Sequence, residues 1–413
     1  MEKLKGKKPS IRFPEFKDDW QHTKLSELLS EAKKRNEDLK YGKDEVLSVS
    51  GELGIVNQIE HLGRSYAGAS VHNYHVVETG DIVYTKSPLK ANPFGIIKLN
   101  KGKAGIVSTL YAVYKVNNKT CFGPWLDYYF SLDANTNRYL RPLVKKGAKN
   151  DMKINNAYVL HDRIFAPSIP EQKRIASFFT VLDKKIAELK QKKALLEQYK
   201  KGLMQKLFSQ QLRFKDENGK EFPKWNKTTL EKISQRVTNK NIENNQNVMT
   251  ISAQEGLISQ LEFFNNSVSS NNLTGYYLLK TDDFAYNRSS SNGYPIGAIK
   301  RLKRYDKGVV STLYICFKFK NKIDSNFFEH YFESGKCNRE IEVHVKEGAR
   351  NHGLLNIGLT DFFGISIYEP CEKEKIRITE FMNSLENKLD SCNSQLKNMI
   401  EYKRGLIQKM YCV

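Results

Sequence analysis

Two short polar stretches hold side chains of the types that read nucleic acid. In the first half of the chain these are Lys86, Ser87, Lys90 and Asn92; in the second they are Arg288, Ser289, Ser290, Asn292 and Tyr294. Arg and Lys reach guanine O6 and N7, Asn pairs with adenine, and Ser suits phosphate oxygens. A second pair of basic clusters, Lys149 with Asn150 and Arg350 with Asn351, is placed to hold phosphates or to cap strands. The plainer reading of each stretch is a surface loop with its charges in solvent.

Covalent chemistry finds less support. An adenine methyltransferase needs an Asn- or Asp-Pro-Pro-aromatic motif for the extruded base, and the nearest string, Asn92-Pro93-Phe94, lacks the second proline. No GxGxxG turn for a cofactor and no GxxxxGK[ST] phosphate loop occurs. Glu171-Gln172-Lys173 has a nuclease-like spacing but falls at an expected helix N-terminus, where a carboxylate complements the dipole. His72 and His75 have a ligand-like spacing, yet no second His or Cys pair completes a zinc site. No catalytic residue and no metal ligand is therefore assigned.

Composition points the same way. The 413 residues carry a formal charge of +21, with 39% apolar and 27% charged residues. So large a positive sum favours a polyanionic partner, because each phosphate neutralised by Lys or Arg releases condensed counterions. The six cysteines are scattered without a CxxC pair, which argues for a reducing cytoplasm rather than a disulfide framework. The basic segment Met1 to Ser10 has no apolar core of the kind a signal peptide needs, and no apolar run reaches membrane-spanning length.

The elements that must position the two loops are duplicated. Val107-Ser108-Thr109-Leu110-Tyr111 recurs as Val310-Ser311-Thr312-Leu313-Tyr314, 203 residues later. Tyr199-Lys-Lys-Gly202-Leu-Met-Gln-Lys-Leu-Phe208 recurs at the same offset as Tyr402-Lys-Arg-Gly405-Leu-Ile-Gln-Lys-Met-Tyr411. Gly80-Asp81-Ile-Val-Tyr84 parallels Asp282-Asp283-Phe-Ala-Tyr286, directly ahead of the two polar loops. Short β-rich runs punctuated by Gly, Asn and Asp predict a mixed or antiparallel sheet with a few helices, not a doubly wound one. The two loops differ while their flanks are shared, as expected if each reads a different sequence.

After each β-rich part the pattern changes. Ile175, Phe179, Leu182, Ile186, Leu189, Leu196, Leu203 and Leu207 fall at alternating steps of four and three, with Lys193 and Lys200 off the pattern. Ile378, Met382, Leu385, Leu389, Cys392, Leu396, Met399, Leu406 and Met410 repeat this, with Lys403 the exception. Such spacing predicts two long helices with a coiled-coil seam, paired antiparallel. Ser168-Ile-Pro-Glu171 reads as a capping box with proline in the first turn. Gly202 and Gly405 inside the helices suggest close approach of another backbone, from the paired helix or from a second protein. The first helix carries net +6 and the second +2, from ten basic and four acidic against eight and six residues.

Order, duplication and spacing together resemble the specificity (S) subunit of type I restriction-modification systems. The residues that carry the resemblance are Pro170-Glu171-Gln172 with Ile175, the Gly202–Phe208 helix end and Gly80-Asp81-Ile-Val-Tyr84. Lys145-Lys-Gly147-Ala148-Lys-Asn150 also matches, with Lys346-Glu-Gly348-Ala349-Arg-Asn351 as its copy. The second copy departs at its helix start, where Pro370-Cys371-Glu372-Lys373 replaces the Pro-Glu-Gln form.

The resemblance implies an α+β chain with two pseudo-repeated target recognition domains, residues 1–170 and 211–371. They would be separated by two long antiparallel coiled-coil helices, 171–210 and 372–413. Each domain would read half of a split site on double-stranded DNA, and the helices would set the unread gap. Two methylation (M) subunits and a restriction (R) subunit would be the partners, with S-adenosylmethionine, ATP and Mg on those partners and no cofactor on this chain. The other reading is a two-domain sequence-specific DNA-binding protein that works without methyltransferase partners.

Overall fold

The computed structural model describes residues 7–146, 152–252, 255–264, 272–290, 293–347 and 355–411. The chain forms two compact units, Met1–Lys190 with Ser394–Val413, and Gln191–Asn393. Each unit takes the start of one long helix and the end of the other, because the helices run Ile169–Phe208 and Glu372–Tyr411.

In the first unit a four-stranded sheet has the order Leu29–Glu31, Tyr111–Val116, Ile82–Thr85, Ile96–Leu99, with antiparallel neighbours. In the second, the order Ser234–Arg236, Ile315–Phe319, Phe284–Asn287, Ala298–Arg301 repeats it. The edge strands Leu29–Glu31 and Ser234–Arg236 contain no β-branched or aromatic residue, while the inner strands are rich in them. Their central members, Ile82–Thr85 and Phe284–Tyr286, are buried on both faces.

The 4-3 spacing marks buried positions throughout. Ile175, Phe179, Ile186, Leu189, Ile378, Met382 and Leu385 are buried, and Leu182, Leu196, Leu203, Leu389, Leu396, Met399 and Leu406 are half-buried. In the first unit Ile175, Ala176 and Phe179 share a core with Ile407, Met410 and Tyr411. In the second, Ile378, Met382 and Leu385 share one with Met204, Leu207 and Phe208. The last aromatic of each helix fills a cage made by the domain in which the other helix begins. Tyr411 lies against Trp20, Trp125 and Phe179, and Phe208 against Trp225, Phe327 and Tyr331.

Each helix start is clamped in the same way. Glu171, 1% exposed, accepts from Arg12 Nε and Nη2 at 2.7 Å and from Trp20 Nε1 at 3.2 Å. Its oxygens are thus taken by Arg12 and Trp20, not by the Ser168 amide that a capping box would use. In the second unit Glu374, fully buried, accepts from Arg213 Nε at 3.1 Å and Nη2 at 2.7 Å, and from Trp225 Nε1 at 3.2 Å. The departure at Pro370-Cys371-Glu372 thus spares the carboxylate clamp but changes the residue after it: Gln172 accepts from the Phe122 amide and donates to the Thr120 and Pro167 carbonyls, whereas its counterpart Lys375 pairs with Asp324 and Glu369. The working carboxylate is Glu374, 203 residues after Glu171.

The two helical glycines do not mark a backbone crossing within the chain. A Cβ built on Gly202 or Gly405 meets nothing within 4 Å, so the paired helix is not what keeps these positions bare.

Candidate nucleic-acid interface

Both polar loops leave the end of a buried strand and return through the same device. Tyr84 donates its hydroxyl to the Phe94 carbonyl at 2.7 Å, and Tyr286 donates to that of Ile296 at 2.8 Å. The next residue in each case is a glycine with positive φ, Gly95 at 92° and Gly297 at 76°. A Cβ there would lie 2.0 Å from the Thr85 carbonyl oxygen and 2.2 Å from that of Asn287. Only glycine fits so close to the neighbouring strand in that conformation. The stems are therefore fixed, while the residues between them differ.

In the first loop the four expected contacts divide. Ser87 and Lys90 are exposed. Lys86 instead donates to Asn156 Oδ1 at 2.6 Å, and Asn156 donates in turn to Glu31 at 2.9 Å. Burial lowers the Lys86 pKa from the usual lysine value, with Glu31 opposing. Asn92 is 7% exposed and donates to Asp133 Oδ1 at 2.7 Å. Lys86 and Asn92 thus brace the loop, and the tight turn between them, closed by Leu89 and Asn92 backbone bonds of 3.0 and 3.1 Å, presents Lys90.

In the second loop Arg288 donates through Nε to the Leu313 carbonyl at 3.0 Å, and its own carbonyl accepts from the Leu355 amide at 2.6 Å. Ser289 is half-buried and Ser290 exposed. Tyr294 donates to Glu333, which also pairs with Lys300; burial first, then Glu333, raises its hydroxyl pKa above the usual range. Asn292, Lys149, Asn150, Arg350 and Asn351 lie outside the described residues. The bracing partners Asn156, Asp133, Glu333 and Lys300 were not legible as loop supports, because they are distant in sequence and ordinary in type.

His72 and His75 do not converge on a metal. His75 is buried in the strand His75–Val77 and His72 is exposed in the preceding turn. Among the described residues no group of three His, Cys, Asp or Glu could hold a metal ion. No helix among them is long and apolar enough to cross a membrane.

With the loops, stems and helix clamps defined, the comparisons with known proteins are decisive for the first half. Residues 17–198 match the family model described as "Type I restriction modification DNA specificity domain". Those residues are similar to a type I specificity domain. Two solved structures extend the likeness in fold over nearly the whole chain. One is the S subunit of a type I restriction-modification system from M. genitalium, 12% identical, with a TM-score of 0.53 over 98% of this chain and 99% of that one. The other comes from work on complex assembly and conformational transition of the type I R-M system. It is 13% identical, with a TM-score of 0.53 over 95% of this chain and 97% of that one. No curated protein sequence matches. The matched residues 17–198 contain the first polar loop, its stem glycine, and Glu171 and Trp20 of the first clamp, but not Arg12.

Proposed function

We propose that this chain is the DNA-recognition subunit of a type I restriction-modification complex and is not itself catalytic. Each domain reads one half of a bipartite site, and the two long helices, paired antiparallel along their apolar seam, set the unread gap between the halves. The observation that carries this reading is the duplication of the loop stem, Tyr84–Gly95 and Tyr286–Gly297, around loops of different sequence. A shared frame with unlike contents is what two readers of unlike half-sites require. At ~1.5 Å per residue, a helix of 40 residues runs to ~60 Å, enough to hold the readers on separate segments of duplex.

The excess of Lys and Arg supplies the sequence-independent part of binding. Ser87, Lys90 and Ser290 are the exposed loop candidates for bases or phosphates. Two methylation subunits and one restriction subunit are the proposed partners, and they would bring S-adenosylmethionine, ATP and Mg.

Inserting one helical turn into both 171–208 and 372–411 tests the ruler. The recognised gap should lengthen, by the logic that ties half-site spacing to protein geometry; site mapping that returns the original gap refutes it. Mixing the purified chain with a methylation subunit tests the partnership. A stable heteromer is expected, and tight sequence-specific binding with no association would favour the stand-alone DNA-binding protein.

A further inference from the structure

The pentapeptide repeated letter for letter, Val107–Tyr111 and Val310–Tyr314, is not core alone. Its valines are fully buried, but Leu110 is 64% exposed and Leu313 is 59% exposed. A single exposed leucine is unremarkable on a protein surface. Two of them, at the same place in two copies and in the longest identical string outside the helices, need a reason.

The local geometry holds each leucine out on a tight turn. The Tyr111 amide donates to the Ser108 carbonyl at 3.0 Å, and the Tyr314 amide to that of Ser311 at 3.1 Å. The leucine amides point back at the serine hydroxyls, Leu110 to Ser108 Oγ at 3.4 Å and Leu313 to Ser311 Oγ at 3.3 Å. The turn therefore has no slack to fold its apolar tip inward.

The turn also sits on the edge that carries the polar loops. Tyr111 is the register partner of Thr85, the residue before Lys86. In the second unit Arg288 itself donates to the Leu313 carbonyl. Each leucine thus stands beside a loop that differs between the copies, while being identical itself. What differs can read what the half-sites do not share; what is identical must serve something both half-sites have. Leu89, an exposed apolar side chain on the first loop, has Ser291 at its counterpart in the sequence and is not duplicated.

Resting on the DNA-reading function above, we infer that Leu110 and Leu313 are a pair of apolar wedges, each entering the base stack of the half-site its own domain reads. One leucine side chain, with Ser, Thr and Tyr as its chain neighbours, is too small for a protein interface, which needs contiguous apolar area. It matches the wedge that groove-binding proteins insert between base steps, unstacking them while neighbouring polar groups hold the phosphates. The wedge is indifferent to sequence, so one design serves both arms.

The test uses the full chain and a duplex pool with random base pairs, enriched on the wild-type protein. Thymines in the bound duplexes are probed with permanganate, which attacks unstacked bases. One hyperreactive position per half-site is expected. Leu110→Ala should abolish it in one half and Leu313→Ala in the other, each weakening binding about ten-fold, while Leu→Met at either site retains both signals. The slope of log K against log salt should stay unchanged, unlike that of a lysine variant. Equal reactivity and affinity in the alanine variants would overturn the wedge. So would an intact DNA footprint together with lost association of another protein. A pool with no enriched sequence would instead overturn the sequence-reading function. On those unselected duplexes, hyperreactivity that vanishes only with alanine would still support the wedge, and its persistence would refute it.

Discussion

Lys200 Nζ lies 2.7 Å from Glu386 Oε1, placing a seam lysine of one long helix on a carboxylate of the other. The same relation recurs 203 residues away, where Lys403 pairs with Asp183. Two of the three lysines that interrupt the apolar spacing are therefore matched by a carboxylate of the other helix, and the third, Lys193, pairs with Glu197 of its own. Each interhelical pair is partly shielded from water, with side-chain exposures of 20% and 29% at the first. An unmatched charge there costs more than a matched pair contributes.

Replacing Lys200 with Met leaves Glu386 beside His330 without its ammonium. We expect a loss of about 1 kcal/mol, largely restored by adding Glu386→Leu. Urea denaturation of the two singles and the double closes the cycle. Strictly additive effects would show that the pair is not coupled.

The helix-start clamps involve much deeper burial. Glu374→Ala strands the Arg213 guanidinium and the Trp225 indole, and should cost about 3 kcal/mol or more. Arg213→Met combined with Glu374→Leu should cost less than Glu374→Ala alone. Hydrogen exchange resolved by segment would locate the damage around Phe208, Trp225 and Ile378 if the clamp holds that core together.

Gly202→Ala and Gly405→Ala should each stabilise the isolated chain by up to ~1 kcal/mol, since the added methyl meets open space and alanine is the better helix former. Thermal denaturation reads this directly. A stabilised variant that no longer binds a partner protein would place that partner's backbone over the bare glycine. A destabilised one would contradict the open space seen here.

Acid should weaken the fold through its buried imidazoles. Burial, reinforced by Arg35, lowers the pKa of His75 from 6.5 to about 4. The unfolded chain takes up this proton near pH 6.5 and the folded one does not until about pH 4. Stability is therefore full above pH 6.5 and falls as the pH drops through that window, by about 2 kcal/mol between pH 7 and 5. Burial likewise lowers the pKa of His330, opposed by Glu386, and it acts in the same direction. Urea midpoints at the two pH values measure the loss, and His75→Gln should flatten part of it. An NMR titration of His75 centred above pH 6 would refute the assignment.

Lys90 stands free at the tip of the first loop. Lys90→Ala should weaken DNA binding and reduce the salt slope by about one. If it instead relaxes preference at one base pair with the slope intact, Lys90 reads a base edge.

The long helices were legible because a 4-3 spacing over forty residues admits few other structures, and the repeat was legible because its strings are identical. The clamp at Glu374 was not. Its neighbours share no letters with Pro170-Glu171-Gln172, and only the constant offset of 203 singles it out. The loops were found by residue type, yet type alone does not separate Lys90, which faces solvent, from Asn92, which turns to Asp133 across 41 positions of sequence. Such partners are chosen by the tertiary fold and leave no local pattern. The glycines misled for a related reason: a bare helical position shows that something is kept away without saying what.

The cage that receives Tyr411 is built by Trp20, Trp125 and Phe179. On the ribosome, that socket is synthesised more than two hundred residues before its plug. At translation rates of ~5–20 residues per second, the vacancy lasts roughly ten seconds or more. During that interval a greasy, aromatic-lined hollow faces the crowded cell, so order of manufacture and order of maturation must part company. The early unit reaches its finished state only after the late one has been made.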